Sequence, residues 1–149
     1  MRIIRLQGDS SFPPPPHDVA THLKEHSSPR RRRVLVVDDE RLIADTVAQI
    51  LNIHGYDAFT AYGANDALKI AESFFPDFLL SDVMMPGTNG IELAAAVREL
   101  LPAVKVLLFS GQAGTSQLIE RSDMTFTLVA KPIHPDRLLQ MLEKLAGQR

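Results

Sequence analysis

Five short, mainly apolar runs, each ending at polar or turn residues, alternate along this chain with longer stretches whose apolar residues recur at helical spacing. The runs are Val34 to Val37, Tyr56 to Thr60, Phe78 to Ser81, Val104 to Phe109 and Phe126 to Ala130. The first, all apolar, suits a parallel strand covered on both faces. The intervening stretches predict helices. The first carries Ile43, Val47, Ile50 and Leu51 on one face and stops near Gly55. The second starts near Asn65, buries Ala67, Leu68, Ala71 and Phe75, and closes at Pro76. A third spans Ile91 to Leu101, a weaker one Thr115 to Arg121, and a last one, roughly Pro135 to Ala146, presents Leu138, Met141, Leu142 and Leu145. Strict strand-then-helix alternation predicts an α/β fold, a doubly wound five-stranded parallel sheet with helices on both faces.

The chain has 149 residues, 45% of them apolar, enough for one domain with a sizeable core and a tail. Without cysteine, disulfides and thiolate metal sites are excluded. No early segment has a signal-peptide core and no apolar run approaches a membrane span, so a soluble, cytoplasmic protein is expected. The net charge of -2 hides an asymmetry: residues 1–33 carry seven Lys/Arg against three Asp/Glu, and 34–149 carry nine against fifteen. Residues 1–33 also hold Pro13 to Pro16 and the run Arg30 to Arg33. With little apolar surface to offset ordering entropy, they are expected to form a flexible extension, the arginine run solvated, ahead of a domain over 34–149. His22 and His26 have ligand spacing but no third fixed partner.

The chemistry is concentrated at strand ends. Asp38 and Asp39 follow the first strand, Asp82 the third, Ser110 the fourth and Lys131 the fifth. In an open parallel sheet all these ends face one edge, where ligands bind. A lone Asp there is as often a turn or capping residue, but four polar strand ends together are harder to attribute to structure. Clustered carboxylates repel unless a cation is present, and hard oxygen ligands of this kind suit Mg²⁺. A nearby ammonium neutralises a further oxyanion, and a hydroxyl donates a hydrogen bond to it. This is equipment for phosphoryl transfer to a carboxylate.

In these residues the chain resembles the receiver domain of two-component response regulators. The matching motifs, in order, are the acidic pair Asp38-Asp39, Asp82 followed by Met85-Pro86 and Gly90, then Ser110, then Lys131-Pro132. The resemblance covers about 34–147 and implies a flavodoxin-like sheet of order 2-1-3-4-5. It implies that Asp82 accepts a phosphoryl group from a sensor histidine kinase or a histidine phosphotransfer protein. Asp39 would bind Mg²⁺ directly, Asp38 through water, and Met84 through its backbone carbonyl, with Asp82 itself a further ligand. Lys131 would pair with a phosphoryl oxygen, Ser110 would bond the phosphoryl group, and Pro132 would follow a cis peptide bond. Such a protein is not an enzyme in the usual sense, although it promotes its own phosphorylation and dephosphorylation. No effector follows residue 149, so a stand-alone receiver signalling by protein contact is expected, without a DNA-binding output domain. A weak homodimer through the fourth helix, fifth strand and last helix is a candidate assembly.

Three departures from the family pattern stand out: Ser110 for the commoner Thr, Leu128 where many members carry an aromatic, and no Gly-Ala pair within Arg121 to Thr125. The latter two bear on the output face. Among rivals, a haloacid-dehalogenase-type phosphatase needs an acid where Met84 stands, and a flavodoxin would place its flavin phosphate against Asp38-Asp39-Glu40. A phosphorylation-independent interaction module is the remaining alternative.

Overall fold

In the computed structural model, residues 30–111 and 126–147 are described. The strands are β1 (Arg33–Val37), β2 (Asp57–Ala61), β3 (Phe78–Asp82), β4 (Lys105–Ser110) and β5 (Thr127–Ala130), and the helices α1 (Arg41–Ile53), α2 (Ala64–Phe74), α3 (Gly90–Leu100) and α4 (Pro135–Ala146). All neighbouring strands are parallel, in the order β2-β1-β3-β4-β5. This is the expected flavodoxin-like fold. The expected helix over Thr115 to Arg121, the turn before β5 and residues 1–29 lie outside the described residues.

Each strand side feeds its own core. Leu35, Val37, Leu79, Val106 and Leu108 pack with α2 and α3, while Val34, Val36, Phe78, Leu80 and Leu107 pack with α1 and α4. The five residues of β3 are all buried, which is why the run is apolar down to its last two positions. Each such Leu or Phe contributes about 1.5–3 kcal/mol by leaving water. The central strand is therefore packed on both faces, and Asp82 is delivered from its end.

Two helix faces differ from expectation. In α1 the buried stripe is Ala44, Ala48 and Leu51, and Ile43 lies at its rim, 37% exposed. The small alanines let the helix approach the sheet closely, which displaces the larger side chain to the edge. In α2 the inward aromatic is Phe74, not Phe75. The helix stops one residue early because Phe75 takes a left-handed conformation (φ 53°), turning its ring outward, 55% exposed. Gly55 does end α1, with φ 96°.

The arginine run is not simply solvated. Arg31 donates to the carbonyls of Asn52 (2.7 Å), Tyr56 (2.7 Å) and Gly55 (3.1 Å), closing the C-terminal end of α1. Arg33 opens β1, donates through Nη1 to the Phe74 carbonyl at 3.0 Å, and lies over the Phe74 ring. Cations at helix C-termini meet orphan carbonyls and the negative end of the helix dipole.

Candidate functional site

The carboxyl edge of the sheet gathers the predicted residues. Asp38 leaves β1 as a buried carboxylate, 4% exposed, anchored by the bond from its own N–H to the Ala61 carbonyl on β2 (3.2 Å). Its Oδ1 accepts from the Glu40 N–H at 2.9 Å, and its Oδ2 lies 3.2 Å from Lys131 Nζ. Asp39, next in the chain, is exposed. Asp82 closes β3, 8% exposed. Oxygens of the three carboxylates lie within 4.8 Å of one another.

Lys131 reaches this cluster from the end of β5. Its N–H donates to the Ser110 carbonyl at 2.8 Å, which sets the height of the side chain against β4. Its Nζ is 3.2 Å from Asp82 Oδ2 as well as from Asp38 Oδ2. The Lys131-Pro132 bond is cis, as expected. Ser110 ends β4, 6% exposed, beside Ala130 in the register. The structure thus brings Asp38, Asp39, Asp82 and Lys131 into one cluster and sets Ser110 on the neighbouring strand end.

The loop after Asp82 is pinned by its flanks. Val83 and Met85 are buried in the core against α2 and α3, so Met84 between them is 43% exposed. Gly87 supplies the turn with φ 78°. Asn89 then opens α3 with a capping box: its Oδ1 accepts from the Glu92 N–H (2.9 Å) and its N–H donates to Glu92 Oε1 (3.1 Å). Gly90 is required by close approach. A Cβ there would collide with the Asp82 carbonyl oxygen and come within 3.0 Å of Val83 Cα. The sequence shows a Gly at this spacing but not what it approaches.

Burial pushes the Asp82 carboxyl above its ordinary pKa; Lys131 and the Met84 backbone oppose this, and Asp38 adds to it. For Lys131, burial acts downward, but Asp82 and Asp38 more than offset it and raise its pKa. The cluster therefore holds more negative charge than one ammonium neutralises, in a half-enclosed place. A divalent cation fits that donor set. The carboxylate oxygens, within 4.8 Å of one another, lie close enough to share one ion. Within the cluster Asp38 is already engaged by the Glu40 N–H and Lys131, whereas Asp39 is exposed. A cavity of about 270 Å³, lined chiefly by apolar side chains including Ile43, Val47, Phe109 and Ile133, adjoins Asp38 and Lys131.

A five-stranded 2-1-3-4-5 sheet with an acidic cluster and a lysine at its carboxyl edge defines a receiver-type α/β domain. Comparison with known proteins agrees. The family model for the response regulator receiver domain matches residues 34–143. A CheY-like response regulator receiver domain protein from Methanospirillum hungatei JF-1 is 30% identical, over 78% of this chain and 94% of that one, with a TM-score of 0.70. The chemotaxis protein CheY4 of Vibrio cholerae is 28% identical, over 77% and 98% of the two chains, TM-score 0.70. The receiver domain of the hybrid histidine kinase CckA is 30% identical, over 76% and 97%, TM-score 0.65. The chain belongs to the response regulator receiver family. Among the described residues, no helix is long and apolar enough to cross a membrane.

Proposed function

We propose that this protein is a phosphoacceptor in a two-component phosphorelay and that Asp82 is the acceptor. The observation that carries this is the placement of one carboxylate at the end of the buried central strand, with two further carboxylates and an ammonium around it. In the proposed step a carboxylate oxygen of Asp82 attacks phosphorus of a phosphohistidine. The P–O bond forms, the P–N bond breaks, and the imidazole leaves with the electron pair. Asp39, Asp38 and the Met84 carbonyl would hold Mg²⁺ beside Asp82, and the ion would supply neutralising charge for the transferring group. Lys131 pairs with one phosphoryl oxygen and the Ser110 hydroxyl bonds another. Such transfer needs positioning and charge stabilisation more than covalent chemistry.

The donor is a sensor histidine kinase or a histidine phosphotransfer protein, and the signal passes on by protein contact from the domain over 34–149. The test is phosphotransfer profiling of the purified protein against the host's sensor kinases. One or a few kinases should pass label to the wild type far faster than the rest, and none to Asp82→Asn. Indifference of the protein to every kinase and phosphotransfer protein would favour a phosphorylation-independent module.

A further inference from the structure

Ser81 is a hydroxyl in a place that otherwise selects apolar side chains. It is fully buried, 0% exposed, in a strand that is apolar up to it, and stands level with Val37 on β1 and Leu108 on β4. Those two neighbours belong to the core facing α2 and α3. Burying a hydroxyl there is unfavourable unless it is hydrogen-bonded. Its hydrogen bond goes to the backbone oxygen of the next residue: Ser81 Oγ donates to the Asp82 carbonyl at 2.9 Å.

That carbonyl belongs to the peptide unit joining Asp82 to Val83. The other end of the same unit is also held, because the Val83 N–H donates to the Phe109 carbonyl at 2.9 Å. Gly90 abuts this unit, and any Cβ there would collide with the Asp82 oxygen. The Gly90 N–H in turn bonds the Val83 carbonyl at 2.8 Å. One peptide unit is thus held at its oxygen and at its nitrogen, with Gly90 close against it. Its orientation sets where the Asp82 carboxylate points and where the chain enters Met84.

We infer that Ser81 is a positioning residue for phosphoryl transfer, holding the peptide that follows the acceptor so that the Asp82 carboxylate meets metal and phosphorus in line. This rests on Asp82 being the acceptor. Ser81 touches none of the reacting atoms. Its effect arises because transfer to a fixed carboxylate is sensitive to small misplacement.

The experiment compares Ser81→Ala, Ser81→Thr and Ser81→Cys in the full chain, with acetyl phosphate as donor and saturating Mg²⁺. Initial labelling rate at Asp82 and thermal midpoint are both recorded, and Asp82→Asn serves as blank. Ser81→Ala should label roughly tenfold more slowly than wild type. Ser81→Cys, similar in volume but a weak donor, should follow it. Ser81→Thr keeps the hydroxyl while adding a methyl to a filled site, so its midpoint should fall while most of the rate returns. Rates that simply follow the midpoints across the three variants, or a Ser81→Ala rate within about twofold of wild type, would overturn the positioning role. Absence of label on the wild type would instead overturn the phosphoacceptor reading itself.

Discussion

Lys131 Nζ stands 3.2 Å from Oδ2 of Asp82, yet the Asp82 carboxyl still titrates above its ordinary value. Burial at the strand end outweighs the ammonium beside it, so the ionised site is electrostatically costly until a further cation arrives. A carboxyl whose folded pKa is raised stabilises the native state fully below its unfolded pKa, and that contribution is lost as pH rises through the folded value. Above that window ionised Asp82 opposes folding. In metal-free buffer at pH 7, Asp82→Asn should therefore melt higher than wild type, by roughly 2–4 °C, and the difference should close below about pH 4. Melts in chelator across this range check it. A lower midpoint for the variant at pH 7 would mean that the Lys131 contact dominates.

The two neighbouring aspartates should separate in their metal affinity. Asp38 is buried and occupied by the Glu40 N–H and Lys131, whereas Asp39 is exposed at the cluster's open side. Asp39→Ala is expected to weaken Mg²⁺ binding by more than about tenfold, and Asp38→Ala by less. The chain has no tryptophan, so titration calorimetry is the suitable readout. Equal affinities in the two variants would remove the distinction between direct and water-mediated ligands.

The arginine run should divide into a dispensable and a structural part. Deleting residues 1–30 is expected to leave thermal midpoint and labelling rate nearly unchanged. Arg31→Ala removes three bonds to the carbonyls that end α1. It should cost about 1 kcal/mol, or roughly 4 °C in midpoint. A midpoint unmoved by Arg31→Ala would show those bonds to be exchanged for water without loss.

Much of this molecule was legible because β1, β3 and β4 are buried on both sides. Val34 to Val37 and Phe78 to Leu80 read as short apolar runs bounded by polar and turn residues, and the polar residues at their ends marked the carboxyl edge of the sheet. What sequence missed depends on approach between distant segments. Arg31 and Arg33 read as part of a solvated basic run because the helix ends they cap lie some twenty to forty residues away in the chain. Phe75 read as core because it fits the helical period, but the left-handed turn that exposes it leaves no signature when the residue is not glycine. Ser81 looked like a strand terminus, and only the direction of its hydroxyl gives it a role.

Leu128 should alter how phosphorylation is read out. It lies on the β5 edge strand, 37% exposed, beside Leu108 in the register. Phe126, two residues earlier, is already committed to the core facing α2 and α3, with Arg98 over its ring at 4.7 Å, and does not supply the bulk an aromatic at 128 would bring. The receiver resemblance implies that Ser110 moves inward toward the phosphoryl group; a leucine would fill the space it leaves only in part, which narrows the energy gap between two packed states. Amide shifts with and without a phosphoryl mimic should change less across β5 and α4 in wild type than in Leu128→Tyr. A full two-state shift in wild type, unaltered by tyrosine, would contradict this.

The central claim is that Asp82 takes the phosphoryl group, and intact mass after incubation with a small phosphodonor and Mg²⁺ tests it most directly. Wild type should gain a single phosphoryl group, chelator should abolish the gain, and Asp82→Asn should remain at its starting mass when initial rates are compared. Equal labelling of Asp82→Asn, or a wild type that never gains mass while its Mg²⁺ titration shows the site filled, would contradict it.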